Sequence, residues 1–229
     1  MGANDGKIND PLYECAQQIK NRSHILLIEP NKFLNKVLNK NYGFHPKYKV
    51  CNKAVGPIGI LKLYAVKPKY FEKYRGQDSK WPAYREATGI TSAVREHVSE
   101  NLTKRNIDPA EAIEVLTVEA SELPKILFEN DFERHIDVLQ IDVEGFDDVV
   151  VYCSKIELTR PKIILYEHDG LSEEKSIKLN SFIGQHRYAI LPLLGSTLCV
   201  KRSFRMQSIA VLIIIQFWKI RRFTLRKRG

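Results

Sequence analysis

Short apolar runs alternate with amphipathic segments along the first quarter of the chain. Residues 24–30 (HILLIEP) form a continuous apolar run that ends in an acid and a proline, which is typical of a strand buried on both faces. Residues 11–20 and 31–43 repeat apolar side chains at helical spacing, and residues 48–56 (YKVCNKAVG) are rich in strand formers. This alternation predicts an α/β fold built on a doubly wound, mostly parallel sheet.

The alternation continues to about residue 200, with one long interruption. Residues 67–89 are rich in Lys, Tyr, Pro and Gly without a clear period, which predicts a functional loop or lid. Its aromatic and cationic side chains would either stack on a substrate ring or pack the loop onto the domain; they are Tyr70, Tyr74, Trp81, Tyr84 and Arg85. The other predicted elements are strands at 59–66, 113–118, 135–145 and 161–170, and helices at 93–102 and 123–129.

Ionisable side chains follow the predicted strands at the points where those strands end. Glu29 ends the first strand, Asp142 and Glu144 follow a later one, and Glu167 and His168 follow the next. In open α/β sheets, ligands bind in the crevice outside the carboxyl ends of the strands. We therefore expect these five side chains to converge on one ligand site.

A glycine turn precedes the first predicted helix. Gly2 and Gly6 bracket Asn4 and a neighbouring acid, which suits a loop whose backbone approaches a ligand closely. Glu29 lies 23 positions after Gly6. That spacing is close to the interval of about 20 residues at which an acid binds the ribose of a nucleotide cofactor. Two glycines alone more often form an ordinary turn, and Glu29 makes a nucleotide-type site an equal alternative.

The charge of this turn favours one kind of cofactor over another. Asp5 and Asp10 would repel a diphosphate, but they suit the ammonium and sulfonium groups of S-adenosylmethionine. The turn also lacks the third glycine of the dinucleotide motif, and the chain contains no Walker-type phosphate loop. These features disfavour an NAD-dependent oxidoreductase and a phosphotransferase.

The net charge of +9 at first suggests a nucleic-acid or membrane partner. However, residues 201–229 contain nine Lys or Arg and no acid, so residues 1–200 are balanced at 27 cations and 27 acids. We therefore predict no nucleic-acid partner. The four cysteines form no C-x-x-C pair and the first residues resemble no signal peptide, which predicts reduced thiols in a cytoplasmic protein.

Residues 203–229 form a basic and apolar tail outside the predicted domain. Their apolar run, residues 208–218 (SIAVLIIIQFW), is shorter than the roughly 20 residues that span a bilayer as a helix. The tail would either contact an anionic membrane surface or have no function, and we favour the second reading.

Six segments, taken in order, resemble the motifs of the FkbM-type methyltransferases, a branch of the Rossmann-like S-adenosylmethionine-dependent enzymes. The resemblance covers about residues 2–202, which we take as the methyltransferase domain. It implies methyl transfer to a hydroxyl of a saccharide or other small molecule. The segments are GANDGKINDPLYE (2–14), LLIEPNKFLNKVLNKNYG (26–43), YKVCNKAVG (48–56), VLQIDVEGFDDVVV (138–151), PKIILYEH (161–168) and LPLLGSTLCVKR (191–202).

The resemblance also implies roles for individual residues. Glu29 would hold the ribose of the cofactor, and Asp142 and Glu144 would border the transferred methyl group. The residues that would line the methionine part are Gly2, Asn4 and Gly6, and those that would lie near the adenine are Asn52 and Ala54.

Methyl transfer to a hydroxyl needs a base for the hydroxyl proton. Asp142, Glu144 and His168 are the candidates near the predicted methyl site, and we favour His168 because an unperturbed imidazole titrates near neutral pH. Alternatively, Glu167 and His168 only satisfy the backbone at a strand end. Asp142, Glu144, His168 and Asp169 could together hold a metal, but we predict none, since their spacing matches no recognised ligand signature.

The chain departs from the family pattern just before the glycine turn. Family members carry a hydrophobic strand there, and it is the central strand of the sheet, so we expect a vacant central position in this fold. A misplaced start or a fragment would explain the vacancy, and a strand formed by residues 209–215 (IAVLIII) is the explanation that we favour least. The alternative to an active enzyme is therefore a non-catalytic remnant with weak or no cofactor binding.

Overall fold

Residues 1–77 and 79–203 are described by the computed structural model, and they form a mixed α/β fold. The strands are β1 (Ile25–Ile28), β2 (Tyr48–Cys51), β3 (Ala54–Val55), β4 (Gly59–Val66), β5 (Ile113–Ser121), β6 (Val138–Ile141), β7 (Ile163–Glu167), β8 (Tyr188–Pro192) and β9 (Ser196–Lys201). The α-helices are α1 (Tyr13–Ile19), α2 (Asn35–Tyr42), α3 (Phe71–Tyr74), α4 (Ala83–Thr88), α5 (Arg95–Thr103), α6 (Pro109–Ala112), α7 (Leu123–Glu129), α8 (Asp147–Cys153), α9 (Ile156–Thr159) and α10 (Glu173–Gln185).

The strands form three separate sheets within these residues. Their orders are β1-β2, β3-β5-β4 and β6-β7-β9-β8. Three of the six pairings are parallel, namely β1 with β2, β3 with β5 and β6 with β7, and the other three are antiparallel. The predicted α/β fold is thus confirmed, with a larger antiparallel share than the apolar runs indicated.

Residues 1–3 connect the carboxyl ends of β1 and β6. The backbone nitrogen of Ala3 donates to the Ile28 carbonyl at 3.2 Å, on the β1 side. On the β6 side, the amino nitrogen of Met1 donates to the Gln140 carbonyl at 2.7 Å, and the amide of Asp142 donates to the Met1 carbonyl at 3.2 Å. This short segment therefore holds the ends of two strands that share no ladder of their own in the described residues.

A cleft of about 460 Å³ opens between β1 and β6, next to residues 1–3. Its walls come from both strands and from the helices on either face, and the apolar residues in these walls include Ala16 and Ile19 of α1 and Leu123 and Leu127 of α7. The cleft lies where the family resemblance expects the central strand. Residues 209–215, considered above as a filler of that position, lie outside the described residues.

The main core surrounds β6 and β7. Ile126 of α7, Ile141 of β6, Ile164 of β7 and Leu179 of α10 are all almost fully buried there. A second cluster lies between α3, α4 and α5 and includes Tyr74, Ala87 and Val98. The first cluster fixes the strands that end at the predicted site, and the second anchors the segment that covers it. The four cysteines are free and buried.

Two of the predicted elements are corrected. Residues 67–89 are not structureless: they contain a 3₁₀ turn at Pro68–Tyr70 and the helices α3 and α4, because the second cluster buries one face of these short helices. The segment 48–56 is two strands instead of one, since β2 pairs with β1 whereas β3 pairs with β5. In the described part of the chain, no helix is long and apolar enough to cross a membrane.

Candidate active site

The glycine turn depends on left-handed backbone at alternate positions. Gly2, Asn4 and Gly6 have φ of 67°, 47° and 67°. A Cβ on Gly2 would lie 1.8 Å from the Asp142 carbonyl oxygen, and one on Gly6 would lie 2.7 Å from the Tyr42 ring. Both glycines are therefore required by close packing as well as by their dihedral angles.

Asp5 stabilises the turn from within. Its buried carboxylate accepts hydrogen bonds from the amides of Lys7 and Ile8, both at 3.0 Å through Oδ1. The other oxygen, Oδ2, has no hydrogen-bond partner among the described residues. The turn is thus fixed before any ligand binds, as close approach of its backbone to a ligand requires.

Glu29, at the end of β1, joins the strand to the turn. Its Oε2 accepts from the Asn4 amide at 2.8 Å, and its Oε1 accepts from the Asn31 amide at 2.9 Å. The residue is 6% exposed, and this burial raises the pKa of its carboxyl, while the two amides oppose the shift. Each oxygen retains a lone pair for a further donor, such as a ribose hydroxyl.

A cavity beside the turn collects most of the predicted site residues. Six of the nine line it: Gly2, Asn4, Glu29, Ala54, Asp142 and Glu144. They come from the turn, from the ends of β1 and β6, and from β3. The sequence thus predicted residues that the fold brings together from positions up to 142 apart in number, since Gly2 and Glu144 share one wall.

Gly6, Asn52 and His168 do not line this cavity. Gly6 packs on Tyr42, as described above. Asn52 donates to the Glu29 carbonyl at 3.0 Å and exchanges hydrogen bonds with the side chain of Asn35. It therefore holds the backbone of Glu29 in place without lining the cavity. The Nδ1 atom of His168 lies 2.9 Å from the hydroxyl of Thr197, on the side of β9.

Glu144 is held by two groups of the segment that follows β4. The Ser92 hydroxyl donates to the Glu144 carbonyl at 2.7 Å, and the His97 Nε2 lies 3.1 Å from the Glu144 carboxylate. Glu144 itself has φ of 55°, a strained left-handed conformation for a side chain of this size. His97 was missed by the sequence reasoning, because a single histidine on a short amphipathic helix carries no local signal.

Three carboxylates lie close together at the carboxyl ends of β6 and β7. One oxygen from each of Asp142, Glu144 and Glu167 lies within 4.8 Å of the other two. Loss of hydration, with the neighbouring carboxylates second, raises the pKa of Asp142 to about 6 and that of Glu167 to about 9, although Asp142 is exposed to solvent by its accessible area and Glu167 is half-buried. Such a group can accept a proton or hold a cation.

Asp147, in the first turn of α8, extends this acidic group into the protein. It is 1% exposed, and its burial raises the pKa of its carboxyl to about 7, with the charge of Asp142 as the next cause. Its Oδ1 has no hydrogen-bond partner among the described residues. A negative charge on Asp147 is therefore unfavourable unless a cationic group lies nearby.

Helix α4 covers the glycine turn. Arg85 donates from Nη2 to the Ile8 carbonyl at 3.2 Å, and its Nε lies 3.6 Å from Asp5 Oδ1. The Thr88 hydroxyl donates to the Asn4 side chain at 3.0 Å. Arg85, Thr88 and Gly89 also line the cavity, so this part of the 67–89 segment borders the ligand site.

These elements together define a methyltransferase-like α/β fold with a cavity at the strand ends. A sequence model of the methyltransferase FkbM domain matches residues 1–193. The chain therefore belongs to the FkbM methyltransferase family, as its motifs predicted. None of the curated proteins and none of the solved structures that were compared matches it.

Proposed function

We propose that this protein is an S-adenosylmethionine-dependent methyltransferase that acts on a hydroxyl of a saccharide or other small molecule. The observation that carries the proposal is the convergence of Gly2, Asn4, Glu29 and Asp142 on one cavity. These residues match the family's cofactor motifs; Gly2 and Asn4 lie in the glycine turn, and Glu29 and Asp142 lie at the carboxyl ends of β1 and β6. We propose that the three sheets follow a doubly wound plan, in which ligands bind at the carboxyl ends of the strands.

The residues of the cavity fit the proposed cofactor. Glu29 offers unused lone pairs to the ribose hydroxyls. Acids outnumber cationic side chains in the lining, with Glu29, Asp142 and Glu144 against Arg85 alone among the described residues. Such a lining favours a ligand that carries an ammonium and a sulfonium over one that carries a diphosphate. When bound, S-adenosylmethionine would supply an electrophilic methyl group next to Asp142 and Glu144.

The residues of the chain would then orient the acceptor hydroxyl and remove its proton. Glu144 lines the cavity and is held by Ser92 and His97, so its carboxylate is positioned to take that proton. Asp142 is the second candidate. His168 remains a candidate only for an acceptor that extends toward β9, since its imidazole faces Thr197.

Titration calorimetry with S-adenosylhomocysteine tests the proposal. We expect the wild-type chain to bind, and Glu29→Ala to weaken binding by roughly 100-fold, since the ribose would lose a charged acceptor. Glu96→Ala, at an exposed position of α5, is the matched control and should bind as the wild type does. No binding by a folded wild-type chain would contradict the proposal, and binding of NADH instead would show that the charge argument is wrong.

The second candidate function is a non-catalytic remnant of the fold. The cleft between β1 and β6 favours it, because strand edges and apolar walls at that cleft lack a partner among the described residues. This alternative predicts a folded chain that binds S-adenosylhomocysteine weakly or not at all, so the same titration separates the two candidates.

A further inference from the structure

Arg85 occupies an unusual place in the cavity. Among the described residues that line it, Arg85 is the only one with a cationic side chain, against three carboxylates. Its side chain is 15% exposed. A guanidinium that is removed from water to this extent is normally paired with an acceptor that satisfies its fork of donors.

The contacts within the chain satisfy only some of the N–H donors of the Arg85 guanidinium. Nη2 donates to the Ile8 carbonyl, but the Nε–H is buried and has no hydrogen-bond partner among the described residues. The nearest acid oxygen, on Asp5, lies 3.6 Å from Nε, which is beyond a normal hydrogen bond. The Nε–H is thus shielded from a ligand beside Asp5, and the donors that remain are those of Nη1, which has no hydrogen bond among the described residues, and the second hydrogen of Nη2.

The surroundings of Arg85 hold it in this position. The Trp81 ring lies under the guanidinium, with 5.8 Å from its carbon to the ring centroid. On another side, a Cβ on Gly89 would come within 2.7 Å of Nη1, so the bare glycine backbone gives this nitrogen room. The side chain is thus fixed by contacts from Ile8, Trp81 and Gly89, and the fixed fork suits a planar, bidentate acceptor.

The proposed cofactor carries one such acceptor. Its amino-acid end has an ammonium and a carboxylate, and the acids of the cavity suit the ammonium but repel the carboxylate. Arg85 contacts the same glycine turn whose residues, by family resemblance, line the methionine part. We propose that Arg85 binds the α-carboxylate of the cofactor through its guanidinium. This inference rests on the proposed function.

Two ligands that differ only in the amino-acid end test this assignment. S-adenosylhomocysteine has that end, whereas 5′-methylthioadenosine keeps the nucleoside and thioether and lacks it. We would titrate both into the full wild-type chain, Arg85→Met, Arg85→Lys and Arg95→Met. Arg95 is an exposed arginine of α5 that does not line the cavity, so its variant controls for loss of one positive charge.

We expect Arg85→Met to weaken the binding of S-adenosylhomocysteine by about 10- to 100-fold and to leave the affinity for 5′-methylthioadenosine within about twofold of the wild-type value. Arg85→Lys should lose less affinity for S-adenosylhomocysteine than Arg85→Met, since lysine keeps the positive charge but not the planar set of donors. Retained binding of 5′-methylthioadenosine also shows that the variant is folded. Arg95→Met should match the wild type for both ligands.

The other outcomes overturn the assignment. An equal loss for both ligands would mean that Arg85 only supports the glycine turn, and no loss for either would mean that it has no part in binding. If the wild-type chain binds neither ligand while folded, the proposed function itself fails and this assignment fails with it. If the wild type binds both ligands and the Arg85 variants bind them with the same affinities as the wild type, the proposed function stands and the role of Arg85 is rejected.

Discussion

The strands β1 and β6 are connected at their carboxyl ends but form no ladder with each other along their length in the described residues. At the carboxyl ends, Met1 and Ala3 hydrogen-bond to both strands and the candidate site is built on that connection. Farther along, the strands face a cleft, without a ladder between them in the described residues. The geometry of a site at strand ends therefore depends on a few local contacts, whereas the stability of a sheet depends on the whole length of its strands.

The largest effect should come from breaking the connected end. Gly2→Ala would place a Cβ against the Asp142 carbonyl in a residue with φ of 67°. We expect about 2–4 kcal/mol lower stability and loss of S-adenosylhomocysteine binding, measured by urea denaturation and calorimetry. Gly184→Ala, in α10 with open space around it, is the control and should stabilise the helix by up to about 1 kcal/mol. Equal effects of the two changes would contradict our account of the turn.

A second experiment compares the core with the cleft through two neighbouring residues of α7. Both belong to the main core, with Ile126 0% and Leu127 4% exposed, but of the two only Leu127 also lines the cleft. We expect Ile126→Ala to cost about 3–4 kcal/mol and Leu127→Ala about 2 kcal/mol, because a side chain beside a cleft has fewer contacts to lose. Urea denaturation measures both. Equal costs would indicate that the cleft wall is packed as densely as the core.

The acidic group at the end of β6 predicts a pH dependence of stability. The folded-state pKa values of Asp142 and Glu167 are raised to about 6 and about 9, so the native state binds protons more tightly than the unfolded state. The free energy of unfolding should therefore fall as pH rises from about 4 to about 9.

Glu167→Gln should remove part of this fall, by roughly 1–3 kcal/mol between pH 5 and 9. Glu174→Gln, on the exposed face of α10, should leave the pH profile unchanged. Urea denaturation at pH 5, 7 and 9 measures the slopes, and a wild-type stability that rises with pH over this range would contradict the raised pKa values of Asp142 and Glu167.

The smallest effect should come from loosening α4 from the turn. Thr88→Val removes the hydrogen bond to the Asn4 side chain and keeps the shape of the residue. We expect roughly fivefold weaker S-adenosylhomocysteine binding and a stability loss of about 1 kcal/mol. Thr103→Val, near the end of α5, provides the control and should not change binding. Unchanged binding by Thr88→Val would mean that α4 covers the site without organising it.

Much of the fold follows from patterns that are local in the sequence. The strand at Ile25–Ile28, the helix at Leu123–Glu129 and the acids after β6 lie where apolar runs and their ends predicted them. The split between β2 and β3 was not predictable in this way, because a strand's partner is chosen by contacts with distant segments. The short helices α3 and α4 were missed for a related reason, since tertiary packing stabilises them more than their own sequence does.

The sequence by itself determined the family, the glycine turn and the acid at the end of β1, because each depends on residue type at a fixed local spacing. The tertiary structure decided which of those residues share the cavity: it placed Glu144 in the wall and His168 outside it. It also brought Arg85 and His97 to the site from segments with no recognisable motif. The physical reason is that spacing along the chain fixes local backbone geometry, whereas distances between side chains are set by how the strands and helices pack.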